Sequence, residues 1–339
     1  MRKYGILLIG CGHIGNEHIA DMYYRDDVHF VGVVDCHEEA AQLTARKYGV
    51  PEYGTDYRPF LKRAEVDIVI IATYTSTHLS ILKDCLAAGK HVLCEKPMAK
   101  TAEEGAEFVR EVRAHPECKV LIAHILRHNA SYIRIRELIQ SGAIGELKLM
   151  RMVQNHHVMN PGRYGRLLAD CTPLVDCGVH YIDVMQWFSG ASVCEVSGIG
   201  TSIDANLPGH NYTMATFRLT DGCVGYYEAG WSCSTASQNL KEFIGTRGRI
   251  ALTLCDNRPD NREEGDLIQV YHSDTGVYET INLESRYKNM YLQMQTLFEM
   301  IETGDEGSPT LEEAYSALRV ALRADEAIRT RQVLPVETV

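Results

Sequence analysis

Tyr4-Gly5-Ile6-Leu7-Leu8-Ile9-Gly10-Cys11-Gly12-His13-Ile14-Gly15 runs an apolar stretch into a glycine-rich turn. Residues 4–10 read as a buried strand, and Ile19, Met22 and Tyr23 then mark one face of a helix. A second apolar stretch, 28–34, ends at Asp35, 20 residues beyond Gly15. A lone Gly-x-Gly-x-x-Gly is a weak signal. Here it follows a strand, opens a helix and precedes an acid at the spacing of the dinucleotide fingerprint. The competing reading of the segment is a structural glycine turn that holds no cofactor.

The same grammar continues outward. Ala41, Ala45 and Tyr48 share a helix face closed by Gly49 and Pro51. Val66–Ala72 is a third strand, 78–88 a helix stopped by Gly89, 91–94 a fourth strand and 119–123 a fifth. Thr101-Ala102-Glu103-Glu104 has the form of a capping box. Apolar strands alternating with helices predict a doubly wound parallel sheet, a Rossmann domain over 1–123. In such a sheet ligands bind beyond the carboxyl ends of the strands. That directs attention to Gly10–Gly15, Asp35, Thr73–His78 and Glu95–Pro97.

After residue 124 strands follow strands. A helix near 131–140 precedes strand-like stretches near 147–156, 193–203, 211–219, 222–232, 240–254 and 267–281, with a hairpin signal at Asp221-Gly222. Two helices, 288–302 and 310–330, close the chain. The expectation is an α+β domain over 124–339 with a large open, mostly antiparallel sheet, one face of which needs cover.

Composition narrows the function. The chain has 339 residues, 45% hydrophobic and 23% charged, and a net charge of −11. That balance argues against a nucleic-acid or anionic-membrane partner. No apolar run reaches membrane-spanning length, and the apolar N-terminus meets His13, Asn16, Glu17 and His18 with no small-residue cleavage site. The 11 cysteines include no Cys-x-x-Cys pair, so reduced thiols and a cytoplasmic location are expected, with Cys11 a packing residue.

Within the fingerprint, Gly10 permits the tight turn, Gly12 lets backbone approach a pyrophosphate, and Gly15 allows close helix–strand packing. The helix opening at His13 and Ile14 offers its amides and dipole to the phosphates. Asp35 suits ribose hydroxyls and repels a 2′-phosphate, and Cys36-His37 brings no arginine to offset it, so NAD is favoured over NADP. Hydride transfer also needs a base for the hydroxyl proton. Two segments offer one: Glu95-Lys96-Pro97, and Asp176-Cys177-Gly178-Val179-His180-Tyr181-Ile182-Asp183. On a single helix Asp176, His180 and Asp183 would share a face. Taken alone, each segment is more often structural than catalytic.

Together they resemble the glucose–fructose oxidoreductase/inositol dehydrogenase (Gfo/Idh/MocA) family. The carrying residues are Gly10-x-Gly12-x-x-Gly15, Ala72-Thr73 with His78, Ala88–Pro97, Gly142-x-x-Gly145, and Asp176-x-Gly178-x-His180-x-x-Asp183 with Trp187. The resemblance spans essentially the whole chain and implies NAD or NADP bound by the Rossmann domain. It further implies Lys96 beside the nicotinamide, His180 as acid/base tuned by Asp176, and a cis Lys96–Pro97 bond. Thr73, His78 and Glu95 would help line the cofactor cleft, the open sheet would pair subunits as a homodimer or homotetramer, and substrates would be polyols, sugars, inositols or glycosides. Physical chemistry supports the roles. A lysine can stabilise a developing alkoxide, and its charge disfavours a second one nearby, keeping His180 neutral.

Two departures bear on substrate: Asp170-Cys171-Thr172-Pro173 replaces the usual glycines before Asp176, and Tyr74 replaces a proline. Candidate substrate contacts, besides Asp176 and His180, are Arg127, His156, His157 and Tyr164. Consecutive histidines on a strand face opposite ways, so no metal site is expected there. Trp231 and most of the 18 tyrosines read as sheet packing. The leading expectation is an NAD-dependent dehydrogenase acting on a secondary hydroxyl. A glycosidase that recycles tightly bound NAD, and a non-catalytic dinucleotide sensor, remain as alternatives.

Overall fold

The computed structural model describes residues 3–157, 161–204, 209–254, 265–284 and 288–337, the side chains of 161–164 excepted. The chain divides into two units, 1–125 with 289–315, and 126–288 with 316–339.

The first unit begins with β1 (Tyr4–Ile9), α1 (His13–Met22), β2 (Val28–Val34), α2 (Glu38–Tyr48), β3 (Tyr53–Gly54) and α3 (Arg58–Leu61). β4 (Ile68–Ile71), α4 (His78–Ala87), β5 (His91–Cys94), α5 (Ala102–Ala114) and β6 (Val120–Ile122) follow. All six strands are parallel, in the order β3-β2-β1-β4-β5-β6. β1 and β4 are buried along their whole length, as strands covered on both faces must be. The order reverses between β1 and β4, and the glycine turn leaves β1 at that switch point. Thr101 caps α5 by accepting from the Glu104 amide, while Glu104 reaches back to the amide of Lys100 rather than that of Thr101.

The second unit contains α6 (Ala130–Gln140), β7 (Leu147–His157), α7 (Pro161–Asp170), α8 (Pro173–Asp176), α9 (Gly178–Ser189), β8 (Val193–Thr201), β9 (Tyr212–Leu219) and β10 (Val224–Ser232). Next come β11 (Gln238–Gly245), β12 (Gly248–Thr253), β13 (Asp266–His272) and β14 (Val277–Leu283). α10 (Met290–Thr303) belongs to the first unit, and α11 (Leu311–Thr330) and β15 (Leu334–Pro335) close the chain. The sheet order is β14-β13-β12-β11-β7-β10-β9-β8-β15, antiparallel except for β7 beside β10. Each of the stretches 240–254 and 267–281 resolves into parts of two strands, because turns at Thr246-Arg247 and after His272 fold them into hairpins.

One face of this sheet is covered by helices: α8 and α9 pack on β10, and Ile328 of α11 sits over Gly198 and Gly200 of β8. The other face leaves Ile199, Val224 and Tyr278 exposed. Among the described residues, no helix is long and apolar enough to cross a membrane.

The chain crosses from the first unit to the second near residue 125. The C-terminal helices do not both stay in the second unit, however, because 289–315 returns to the first. The reason is chemical. Tyr4 stacks on Phe298 with ring centroids 4.4 Å apart, the Tyr291 hydroxyl donates to Asp27 at 2.5 Å, and the Tyr291 amide donates to Asp21 at 2.9 Å. Removing that ring in Phe298→Ala should cost about 3 kcal/mol of the first unit's stability, read by chemical denaturation followed through the Tyr4 environment.

Candidate active site

The glycine turn is built for close backbone approach. Gly10 has φ +100°, and a Cβ there would lie 2.3 Å from the Ala72 oxygen at the end of β4. A Cβ on Gly15 would fall 1.9 Å from the Gly10 oxygen, whereas one on Gly12 would meet nothing within 4 Å. Gly12 thus faces open space at the start of α1, whose N-cap makes no side-chain hydrogen bond to the first amides. Those amides, from His13, Ile14 and Gly15, are the donors an anion would take. Asn16 braces the turn from within the helix, its Nδ2 donating to the oxygens of Cys11 at 2.8 Å and Gly12 at 3.0 Å.

Asp35 is fixed in the same turn. Its Oδ2 accepts from the Cys11 amide at 2.8 Å, and its Oδ1 accepts from the His37 amide at 2.9 Å. Partial burial would raise its pKa, but these bonds and the His37 ring outweigh that and hold the carboxyl below its ordinary value. An ionised acid at this position, an open Gly12 and uncapped helix amides together fit a dinucleotide. Burial pushes the Cys11 thiol up to about 12, so it is a protonated packing residue at neutral pH.

At the end of β5 the turn through Lys96 is clamped from inside the unit. Glu95 is buried. Its Oε1 meets Nε2 of the fully buried His18 at 2.8 Å, and its Oε2 accepts from the Lys96 amide at 3.2 Å. Desolvation would raise the Glu95 pKa, but the His18 contact, with help from Lys96, outweighs it and lowers it. The Lys96–Pro97 bond is cis. His78, also buried, lies between the β4 turn and the Lys96 turn, with Nδ1 3.0 Å from the Pro97 oxygen and Nε2 3.2 Å from the Thr73 oxygen, and its neutral ring donates to one of these two carbonyls. His78 and Glu95 thus shape this edge from beneath, while half-buried Thr73 pairs its hydroxyl with Thr77 at 2.7 Å.

In the second unit the acid/base segment is not one helix. Asp176 ends α8, and His180 sits in the first turn of α9, with Cys177 between them. Helix entry is set by Thr172, whose hydroxyl accepts from the Val175 amide, and by Gly178, where a Cβ would come within 3.0 Å of the Tyr227 ring. Asp176 and His180 are both half-buried, and the Cys177 thiol lies 3.6 Å from Asp176 Oδ2.

Asp183 does not join them as a chemical group. It forms a two-pronged pair with Arg127, Nε–Oδ2 2.9 Å and Nη2–Oδ1 2.7 Å, with both side chains at most 3% exposed. The Arg127 guanidinium also lies 5.3 Å from the Trp187 ring centroid. Arg127, expected as a substrate contact, is a brace for α9. The histidine pair also separates. His156 lies across from Trp231, which packs with Leu168 and Cys177 on the helix-covered face. Strand alternation turns His157 to the opposite face, where its Nδ1 is 3.1 Å from the Thr235 oxygen. Tyr164 lies on α7, but its side chain is outside the described residues.

His18 and Asn16 are the site-shaping residues that sequence reasoning did not single out. The signal for His18 was available: Gly15, His18, Ile19 and Met22 recur at helical spacing, and a histidine in an otherwise apolar stripe needs a buried partner.

A six-stranded parallel sheet with a glycine turn at its switch point is the architecture of a dinucleotide-binding domain, joined here to a unit built on a nine-stranded sheet. The model of the oxidoreductase family with an NAD-binding Rossmann fold matches residues 4–124, and that of the GFO/IDH/MocA C-terminal domain matches 132–251. The chain belongs to the Gfo/Idh/MocA family of oxidoreductases. It is similar to a myo-inositol 2-dehydrogenase of Thermotoga maritima, 22% identical with 98% of each chain covered. Among solved structures it resembles myo-inositol 2-dehydrogenase of Lactobacillus plantarum, with TM-score 0.85, 19% identity, and 99% and 100% of the two chains covered. It also resembles scyllo-inositol dehydrogenase of Lactobacillus casei with bound NAD(H) and scyllo-inositol, with TM-score 0.79, 20% identity, and 98% and 99% covered.

The lowered pKa of Glu95 has a signed consequence. Its contribution to stability is complete above the ordinary glutamate value of about 4.3 and is lost as pH falls through the lower folded value. The stability gap between wild type and Glu95→Gln should therefore stay constant from neutral to mildly acid pH and close below that range, as urea melts at a series of pH values would show. A gap independent of pH would mean that Glu95 is not ionised.

Proposed function

We propose that the protein is an NAD-dependent dehydrogenase that oxidises a secondary hydroxyl of a cyclic polyol or sugar, inositols first among them. The observation that carries this reading lies within the first unit. Lys96 follows β5 and the glycine turn follows β1, so both stand at the carboxyl edge of the same parallel sheet, on either side of β4. The inositol dehydrogenases to which the chain is similar over nearly its full length support the substrate class.

The bound nicotinamide supplies the hydride acceptor; the chain does the rest. Amides at the start of α1 hold the pyrophosphate, and Asp35 accepts from the ribose hydroxyls. Lys96, its backbone set by Glu95, stabilises charge developing on the reacting oxygen. His180 accepts the hydroxyl proton, with Asp176 as the carboxylate that favours the protonated ring. His156, on the helix-covered face of β7, serves as a contact for substrate hydroxyls. The exposed sheet face, with Ile199, Val224 and Tyr278, is the surface through which copies of the chain would pair as dimers or tetramers.

Wild-type protein given NAD and a panel of myo-inositol, scyllo-inositol and glucose should raise NADH absorbance with at least one of them. Lys96→Ala and His180→Ala should each lower kcat by about 10² to 10⁴-fold while still binding NADH. Unchanged rates in both variants would remove these roles. Because Asp35 is ionised, fluorescence titration should give tighter binding of NADH than of NADPH, and Asp35→Ala should narrow the difference.

A further inference from the structure

Lys241 is fully buried on the helix-covered face of β11, cross-strand from Met152 of β7. Its Nζ donates to the Val153 oxygen at 2.9 Å, to the Leu240 oxygen at 3.2 Å and to Oδ1 of Asn239. It also lies 4.5 Å from the ring centroid of Tyr181, the residue after His180. No carboxylate among the described residues contacts it. Burial pushes its pKa well below the ordinary lysine value. Putting an ammonium in such a place is unfavourable unless each N–H finds an acceptor, and here three acceptors meet three N–H groups.

The third acceptor is the informative one. The structure sets Oδ1 of Asn239 against Lys241 Nζ, and while Nζ is protonated it can only donate, which keeps the amide in that orientation. That fixes the flip of the carboxamide and aims Nδ2, with two donors, the other way. Asn239 is half-buried, lies on the helix-covered face directly across from Gln154, and finds no acceptor for Nδ2 among the described residues. Gln154 is two residues before His156 on the same face of β7. A short chain of contacts, Asn239 to Lys241 to Tyr181, therefore connects a directed and unspent donor to the turn of α9 that carries His180.

We propose that Asn239 is a specificity-determining residue: held by Lys241, its Nδ2 donates to a hydroxyl of the bound polyol other than the one being oxidised. Lys241 is then a positioning residue that acts through Asn239. The inference rests on the reading of His180 as the group that handles the reacting hydroxyl. A site that fixes one donor in this way discriminates between polyols that differ at a single carbon, because an analogue lacking that hydroxyl leaves the amide unpaired.

The test uses the full chain with NAD and myo-inositol, scyllo-inositol and glucose, each with its monodeoxy analogues. For the compound that wild type oxidises, Asn239→Asp, which replaces the donor with an acceptor, should raise KM about tenfold with a much smaller change in kcat and no change in NADH affinity. One monodeoxy analogue should show the same KM penalty in wild type and no added penalty in Asn239→Ala. Lys241→Met should raise KM similarly, and combining it with Asn239→Ala should add nothing. If Lys241→Met fails to fold, the two Asn239 variants still decide. A KM within twofold of wild type in both of them, with wild type active, overturns this proposal alone. No turnover of any panel compound by wild type overturns the proposed function and this inference with it.

Discussion

The contact between His18 and Glu95 is the constraint on which the first unit's working edge depends. A buried carboxylate is unfavourable unless its lone pairs are used, and Glu95 uses them in two directions. One oxygen meets the ring on α1, the helix that opens at the glycine turn, and the other takes the backbone amide of Lys96. The dinucleotide turn after β1 and the lysine turn after β5 are thereby held by one residue. His78 packs between neighbouring turns, its ring nitrogens facing the oxygens of Thr73 and Pro97. Positioning at this edge comes from buried polar groups under the loops, while the loops present their backbone above.

The second unit solves the same problem with a different pair. Arg127 and Asp183 meet in two parallel hydrogen bonds, which fix the rotation of α9 about its axis. Asp176 and His180 remain half-buried near the start of that helix. Of the three motif residues Asp176, His180 and Asp183, one is spent on architecture and two keep access to solvent.

Much of this was legible before any coordinates. Continuous apolar runs located every strand of the parallel sheet except β3, which is two residues long and has no run to show. Glycines at 10, 12 and 15 with Asp35 directed attention to the turn after β1 because each is demanded by backbone geometry or charge at a known spacing. Less legible were features set by partners distant in sequence. The burial of Arg127 depends on Asp183, 56 residues on, and the return of α10 to the first unit depends on Tyr291 and Phe298 meeting residues near the N-terminus. The reciprocal cap at Thr310 and Glu313, at the start of α11, has the same Thr-x-x-Glu spacing as Thr101 and Glu104. Lys241 sits between Leu240 and Glu242 on an ordinary-looking strand, and nothing in its neighbours announces a buried cation.

The return of residues 289–315 to the first unit bears on how the chain is made. A ribosome emits the parallel sheet early, yet Tyr4 waits nearly 300 residues for the ring that stacks on it. The domain begun first is therefore completed only after residues 126–288 of the second unit have been synthesised. During that interval the apolar patch that later receives α10 is uncovered, which gives a chaperone a defined place and a defined period in which to act.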